Sequence, residues 1–181
     1  MPLNAAQLVT LKADIAADPV LSLLAHTADN AFTVAAAYNA VASPDYWVWR
    51  SSISRSDVYN GVAPGGSTWN WTFYKNQNVT EQGAWTQMFM GDAANVGNLN
   101  FRAGLVAIFT AGSSVNRDHV LALGRRLAKR SEKLFSVAVA NPPANTGNNA
   151  ADPRGATTNP DVLVFEGVVV PQDVLNAWNL P

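Results

Sequence analysis

The longest amphipathic stretch of the chain runs from Asn116 to Val137, NRDHVLALGRRLAKRSEKLFSV. Wound at 100° per residue, it gathers Val120, Leu123, Gly124, Leu127, Leu134 and Phe135 on one side and Arg125, Arg126, Lys129, Arg130 and Lys133 on the other. This spacing predicts one long helix, capped by Ser114 or Asn116, with Asp118 in its first turn and its cations toward the C-terminal end. The same periodicity predicts a helix over Ala5–Ala17, capped by Asn4, with Leu8, Leu11 and Ile15 inward. Another runs from Thr27 or Asp29 to about Val41, packing Phe32, Ala35, Ala36 and Tyr38. Further helices start at Asn78 or Thr80, burying Trp85, Met88 and Phe89, and at Asn98 or Asn100, burying Leu105, Ile108 and Phe109. A Ser-x-x-Asp box opens a short helix at Ser54, and Pro171 opens a last one ending at Trp178.

Strand patterns are scarcer. Trp69 to Tyr74 alternates in the manner of a strand or hairpin arm, and Val162 to Phe165 reads as a short strand. Tyr46 to Arg50 is too short for periodicity to separate a helical turn from an extended connector. Between Ala138 and Pro160 the chain is dominated by Asn, Ala, Pro, Gly and Thr, with almost nothing to bury. Such a segment does not repay its ordering entropy alone, so it is expected as a flexible loop, or as an arm that orders on a partner. The expected fold is mainly α: a compact helical core of about five to six helices over 1–137, a small β element, the loop at 138–160, and a C-terminal strand and short helix over 161–181.

Charge sharpens one feature of this picture. The net charge of −1 excludes a polycation, yet seven of the twelve Lys and Arg lie between Arg102 and Lys133, against only Asp118 and Glu132 in that span. The basic face of the predicted helix is therefore either a solvated surface or a contact for DNA phosphates or an acidic protein. A reader of double-stranded DNA is normally basic overall and carries a reading module, neither of which is seen here. The six tryptophans are the second feature. Most belong in a core, but Trp47, Trp49, Trp69 and Trp71 are also candidates for subunit anchors, since tryptophan is enriched at interface hot spots.

Catalytic patterns are missing from the sequence. The absence of cysteine removes disulfides, thiolate nucleophiles and Cys-based metal sites, and fits a reducing compartment. His26 and His119 stand in no zinc-binding spacing; His119, in a first helical turn, is expected at the surface or as a cap. No G-x-S-x-G elbow appears, the glycines from Gly61 to Gly66 lack a phosphate-holding Lys-Ser/Thr, and the carboxylates are scattered. No enzyme, cofactor or metal is expected. The N-terminus lacks a signal-peptide pattern, and no apolar run is long enough to span a membrane, so the chain is expected to be soluble and made in a cytoplasm.

Tyr46-Trp47-Val48-Trp49-Arg50, Phe101-Arg102-Ala103-Gly104, Arg125 to Phe135 and Phe165-Glu166-Gly167, together with the opening LNAAQLVTLKADIAADP, resemble small proteins of tailed-bacteriophage structural modules. The resemblance covers most of the chain, with longer Gly61–Asn78 and Ala138–Pro160 regions than those proteins have. It implies a virion protein made in the host cytoplasm, most like a head–tail connector (adaptor, or head-completion protein). Such connectors are mostly helical and form a ring, usually a dodecamer, seated in the neck under the portal around the DNA channel. The implied partners are copies of itself, the portal, the next neck or tail protein and, without base reading, packaged DNA. On this chain Ala138–Pro160 or Val168–Pro181 would dock on the portal. Arg125, Arg126, Lys129, Arg130 and Lys133 would face DNA or a neighbouring subunit. Other readings are a capsid-decorating or tail-completion protein, or a non-viral DNA-binding module.

Overall fold

The structure, a computed structural model, describes residues 2–110, 114–136, 152–153, 155–163 and 165–181. Most of the loop expected at 138–160 lies outside the described residues. The fold is mainly helical, with nine α-helices and two small two-stranded sheets among the described residues. The chain forms two compact units: unit 1 is Met1–Tyr46, Leu127–Val137 and Leu163–Pro181, and unit 2 is Trp47–Arg126 and Ala138–Val162. One helical core over 1–137 was the sequence expectation. The residues of that range fall into both units, and the C-terminal segment, expected to pack on the core or extend from it, lies in unit 1.

Unit 1 is built on α1 (Ala5–Ala17), α2 (Ala28–Asn39), α8 (Arg130–Leu134) and α9 (Pro171–Trp178). A capping box at Asn4 and Gln7 starts α1, and Thr27 caps α2. The core is Leu11, Ile15, Val34, Tyr38, Val174 and Trp178 with small alanines between them. Asp173, buried in α9, accepts from the Val170 amide at 3.1 Å and from the distant Leu3 amide at 3.2 Å, so one carboxylate caps a helix and ties down the N-terminal segment. Phe32 and Ala36 do not pack as expected: α2 turns Ala31, Val34, Ala35 and Tyr38 inward and leaves Phe32 65% exposed.

Unit 2 holds β1 (Trp47–Trp49), β2 (Ile53–Ser54), α3 (Arg55–Asn60), α4 (Trp71–Lys75), α5 (Val79–Met88), β3 (Ala93–Ala94), α6 (Leu99–Ile108) and α7 (Ser114–Leu123). The antiparallel β2–β3 pair sets Ile53 opposite Ala94. The core gathers Trp49, Val58, Trp69, Trp85, Phe89, Leu105, Phe109 and Val120.

Three expectations fail here for identifiable reasons. The Asn116–Val137 helix is broken: α7 stops at Leu123, Arg125–Leu127 forms β4 beside β1, and α8 begins only at Arg130. Gly124 is the break. A Cβ there would stand 2.5 Å from the Val96 side chain, and its carbonyl accepts from the Arg50 amide at 2.7 Å rather than continuing a helix. Trp69–Tyr74 is not a strand, because Asn70 caps α4 by accepting from the Phe73 amide at 3.1 Å. No strand forms over Val162–Phe165 among its described residues; the β element lies in β1 to β4 instead.

Candidate functional site

Breaking the predicted helix divides the basic residues between the units. Arg125 and Arg126 belong to unit 2, and Lys129, Arg130 and Lys133 to unit 1, so the single cationic face of a continuous helix is not formed. All five are half-buried rather than projecting. Arg125 donates through Nε to the Leu121 carbonyl at 3.1 Å and through Nη1 to the Thr157 carbonyl at 2.6 Å, and burial lowers its pKa. The first of these bonds neutralises a C-terminal carbonyl of α7, where a cation is favoured by the exposed peptide dipoles. Lys129 donates to the Gly167 carbonyl at 3.1 Å. Lys133 donates to the Pro44 carbonyl at 3.2 Å and lies 5.6 Å from the Tyr46 ring centre.

Arg130 is the most heavily engaged. Its guanidinium reaches Asp18 Oδ2 and Asp14 Oδ2, each at 2.7 Å, and lies 4.5 Å from the Tyr38 ring centre. Asp14 and Asp18 are one turn apart on α1 and at its C-cap, so a planar fork can meet both at once. Burial pulls the Arg130 pKa down, but the bonds to Asp14 and Asp18 outweigh it and leave the pKa raised. Asp18 is held down to about 2, first by the Leu21 and Val20 amides that its Oδ1 caps and then by Arg130. The Tyr38 hydroxyl, which donates to Asp14, is pushed well above the usual phenol range by burial and by that carboxylate. Beside the cluster, a cavity of about 690 Å³ is lined by Asp14, Asp18, Ser43, Arg130 and Lys133 over an apolar floor that includes Val41 and Leu134.

The aromatic candidates separate by burial. Trp49 and Trp69 are core residues, at 2% and 6% exposure, and Trp47 is half-buried. Trp71 is 50% exposed at the start of α4, supported by Tyr59 at 4.8 Å and by Tyr74 and Trp69 at 5.9 and 6.1 Å between ring centres. Such a cluster is rigid, because edge-on and tilted ring pairs hold one another in place. Trp49 instead covers a buried cation. The Arg102 guanidinium lies 4.8 Å from its ring centre, donates to the Val96 carbonyl at 2.6 Å, and has its pKa lowered to about 10 by burial.

His119 also differs from its sequence reading. His119 is wholly buried, not a surface or capping residue: Nε2 stands 2.9 Å from the Val58 carbonyl and Nδ1 3.3 Å from Ser67 Oγ. Asn116 does not cap α7 but clamps the Asn70 backbone, accepting from its amide at 2.8 Å and donating to its carbonyl at 3.0 Å. Both lie on the inward stripe of α7 with Val120; the one-turn spacing of residues 116, 119, 120 and 123 is the signal that could have placed them there, and the sequence reading passed it over. His26 stacks on Trp178 at 4.5 Å. Among the described residues no three His, Asp or Glu side chains converge in a metal-binding group, and no helix is long and apolar enough to cross a membrane.

No protein-family model, curated protein or solved structure matches this chain.

Proposed function

We propose that this chain is a structural protein of a tailed-bacteriophage virion, a head–tail connector that acts as an oligomeric ring between portal and tail. The observation that carries the reading is the exposure of large apolar side chains in both units. Phe32 and Leu23 in unit 1, and Trp71 and Met90 in unit 2, are all half or more exposed. Side chains of this kind anchor subunit contacts when buried by a neighbour, and many weak contacts around a closed ring add up to a cooperative assembly. Trp71 is the leading anchor, because its rigid aromatic support keeps the ordering cost of burial low.

In this reading the basic segment contributes mainly inside the subunit. The Arg125 and Arg130 guanidiniums already serve internal carbonyls and carboxylates, so a phosphate would have to compete with those partners. Charge reversal at Arg125 is therefore a test of folding as much as of DNA contact.

The decisive measurement is the mass of the protein alone and with isolated portal rings, by light scattering after size exclusion. A ring that forms on the portal, weakened on the order of 30-fold in Trp71→Ala without loss of the thermal transition, is the expected result. A chain that never associates with itself or with a portal overturns the proposal.

A further inference from the structure

The glycine loop of unit 2 carries a hydrogen-bonded serine and histidine whose proton positions follow from their partners. His119 Nε2 stands 2.9 Å from the Val58 carbonyl oxygen, which can only accept, so Nε2 carries the proton. In the neutral imidazole Nδ1 is then a bare acceptor. Its neighbour is Ser67 Oγ at 3.3 Å, so the serine hydroxyl donates its proton to His119 Nδ1. A carbonyl thereby holds the base in the tautomer that points at a hydroxyl, which is the arrangement of an activated nucleophile. The separation is slightly longer than the range of about 2.6–3.2 Å for such pairs, a looseness common in sites without substrate.

The surroundings fit the same use. Ser67 is half-buried while His119 is fully buried, so of the two residues only the serine is in contact with solvent. Gly65 and Gly66 turn the chain with φ of 94° and 84°, and nothing lies within 4 Å of where their side chains would start, so the loop is uncrowded at these two positions. The loop is closed by the Ala63 amide donating to the Ser67 carbonyl at 2.9 Å and the Gly66 amide donating to the Ala63 carbonyl at 2.8 Å. Among the described residues the Ser67 and Thr68 amides have no acceptor, which leaves two donors beside the nucleophile.

We propose that Ser67 is a base-activated nucleophile that accepts acyl groups from small activated carboxylic esters. In that step a bond forms from Ser67 Oγ to the acyl carbon and the bond from that carbon to the leaving oxygen breaks. The hydroxyl proton passes to His119 Nδ1 and from there to the departing alkoxide. The Val58 carbonyl orients the ring but carries no full charge, so the gain is placed at the low end for a general base, about 10²-fold. Acylation of Ser67 is independent of the virion reading and survives or fails without it.

The test is labelling of the full chain with a fluorophosphonate, whose phosphorus takes the place of the acyl carbon and loses fluoride, followed by peptide mass mapping. The expected result is an adduct at Ser67, absent in Ser67→Ala and slowed about 10²-fold in His119→Gln. Labelling spread over several serines, or undiminished in a His119→Gln protein that melts as the wild type does, overturns it. Should His119→Gln fail to fold, nitrogen NMR of the wild-type ring decides alongside the labelling. A protonated Nε2 with a bare Nδ1 supports the proposal, and a protonated Nδ1 overturns it.

Discussion

Asp18 shows how a single side chain couples unit 1 to pH. Its Oδ1 accepts from the Val20 and Leu21 amides, both at 2.9 Å, while Oδ2 takes one arm of Arg130. These contacts need the ionised carboxylate, and they lower its pKa from 3.8 to about 2. A folded-state pKa below the unfolded one means that the stabilisation is complete above about pH 4 and is lost as pH falls through the folded value. The melting temperature of the wild type should therefore drop between about pH 4 and pH 2 more steeply than that of Asp18→Asn. Identical pH profiles by calorimetry would refute this. At neutral pH Asp18→Asn keeps an oxygen for the amides but loses the ion pair, for a cost of about 1 kcal/mol. Tyr38→Phe, which keeps the ring beneath Arg130 but removes the hydroxyl from Asp14, should cost about the same.

At the scale of elements, the starts of helices were legible in the sequence and their ends and faces were less so. Asn4 with Gln7, Ser54 with Asp57 and Asn78 with Glu81 form the capping boxes their spacing indicates, because both partners are three residues apart. The helix at Trp71 was not legible, since Asn116, which fixes its Asn70 cap, lies 46 residues away. The partners of Arg130 were hidden for the same reason, Asp14 being 116 residues distant. The basic residues of the candidate site could thus be found from sequence, but not that they are spent inside the fold. Phe32 faces outward because the side of α2 that α9 covers is set by tertiary packing. Gly124 makes the point testable. An alanine there must displace the Val96 side chain, so Gly124→Ala should destabilise unit 2 by about 1–3 kcal/mol. Adding Val96→Ala removes two of the three opposing atoms, including the nearest, and the double variant should recover part of that loss in urea denaturation. Additive costs would mean that Gly124 ends α7 for another reason. Asn116→Ala strips two bonds from the half-buried Asn70 backbone and should cost about 1–2 kcal/mol, with faster exchange of the Asn70 amide.

For the whole molecule, the near-neutral total conceals two differently charged units. Unit 1 carries four Lys and Arg against seven Asp and Glu, whereas unit 2 carries eight against six. Each also bears an exposed aromatic residue with a charge of its own unit's sign one turn away. Phe32 follows Asp29 on α2, and Trp71 precedes Lys75 on α4; both charged residues are exposed. Two copies of Asp29 brought together repel one another, as do two of Lys75, so a symmetric back-to-back dimer through either aromatic is disfavoured. Contact between unit 1 of one copy and unit 2 of the next satisfies both the apolar and the charge requirements. An interface of that heterologous kind generates a ring when its rotation closes, whereas a symmetric interface stops at two. Self-association of the proposed connector should therefore be salt-sensitive, weakening between about 0.05 and 0.5 M salt as exposed charges are screened. Asp29→Lys and Lys75→Asp should each weaken it several-fold, and a protein carrying both changes should regain much of the loss, because opposite signs again face each other. Sedimentation velocity reads all four proteins. Association indifferent to salt, or a double variant no better than its parents, would leave the apolar contacts standing and remove the head-to-tail pairing.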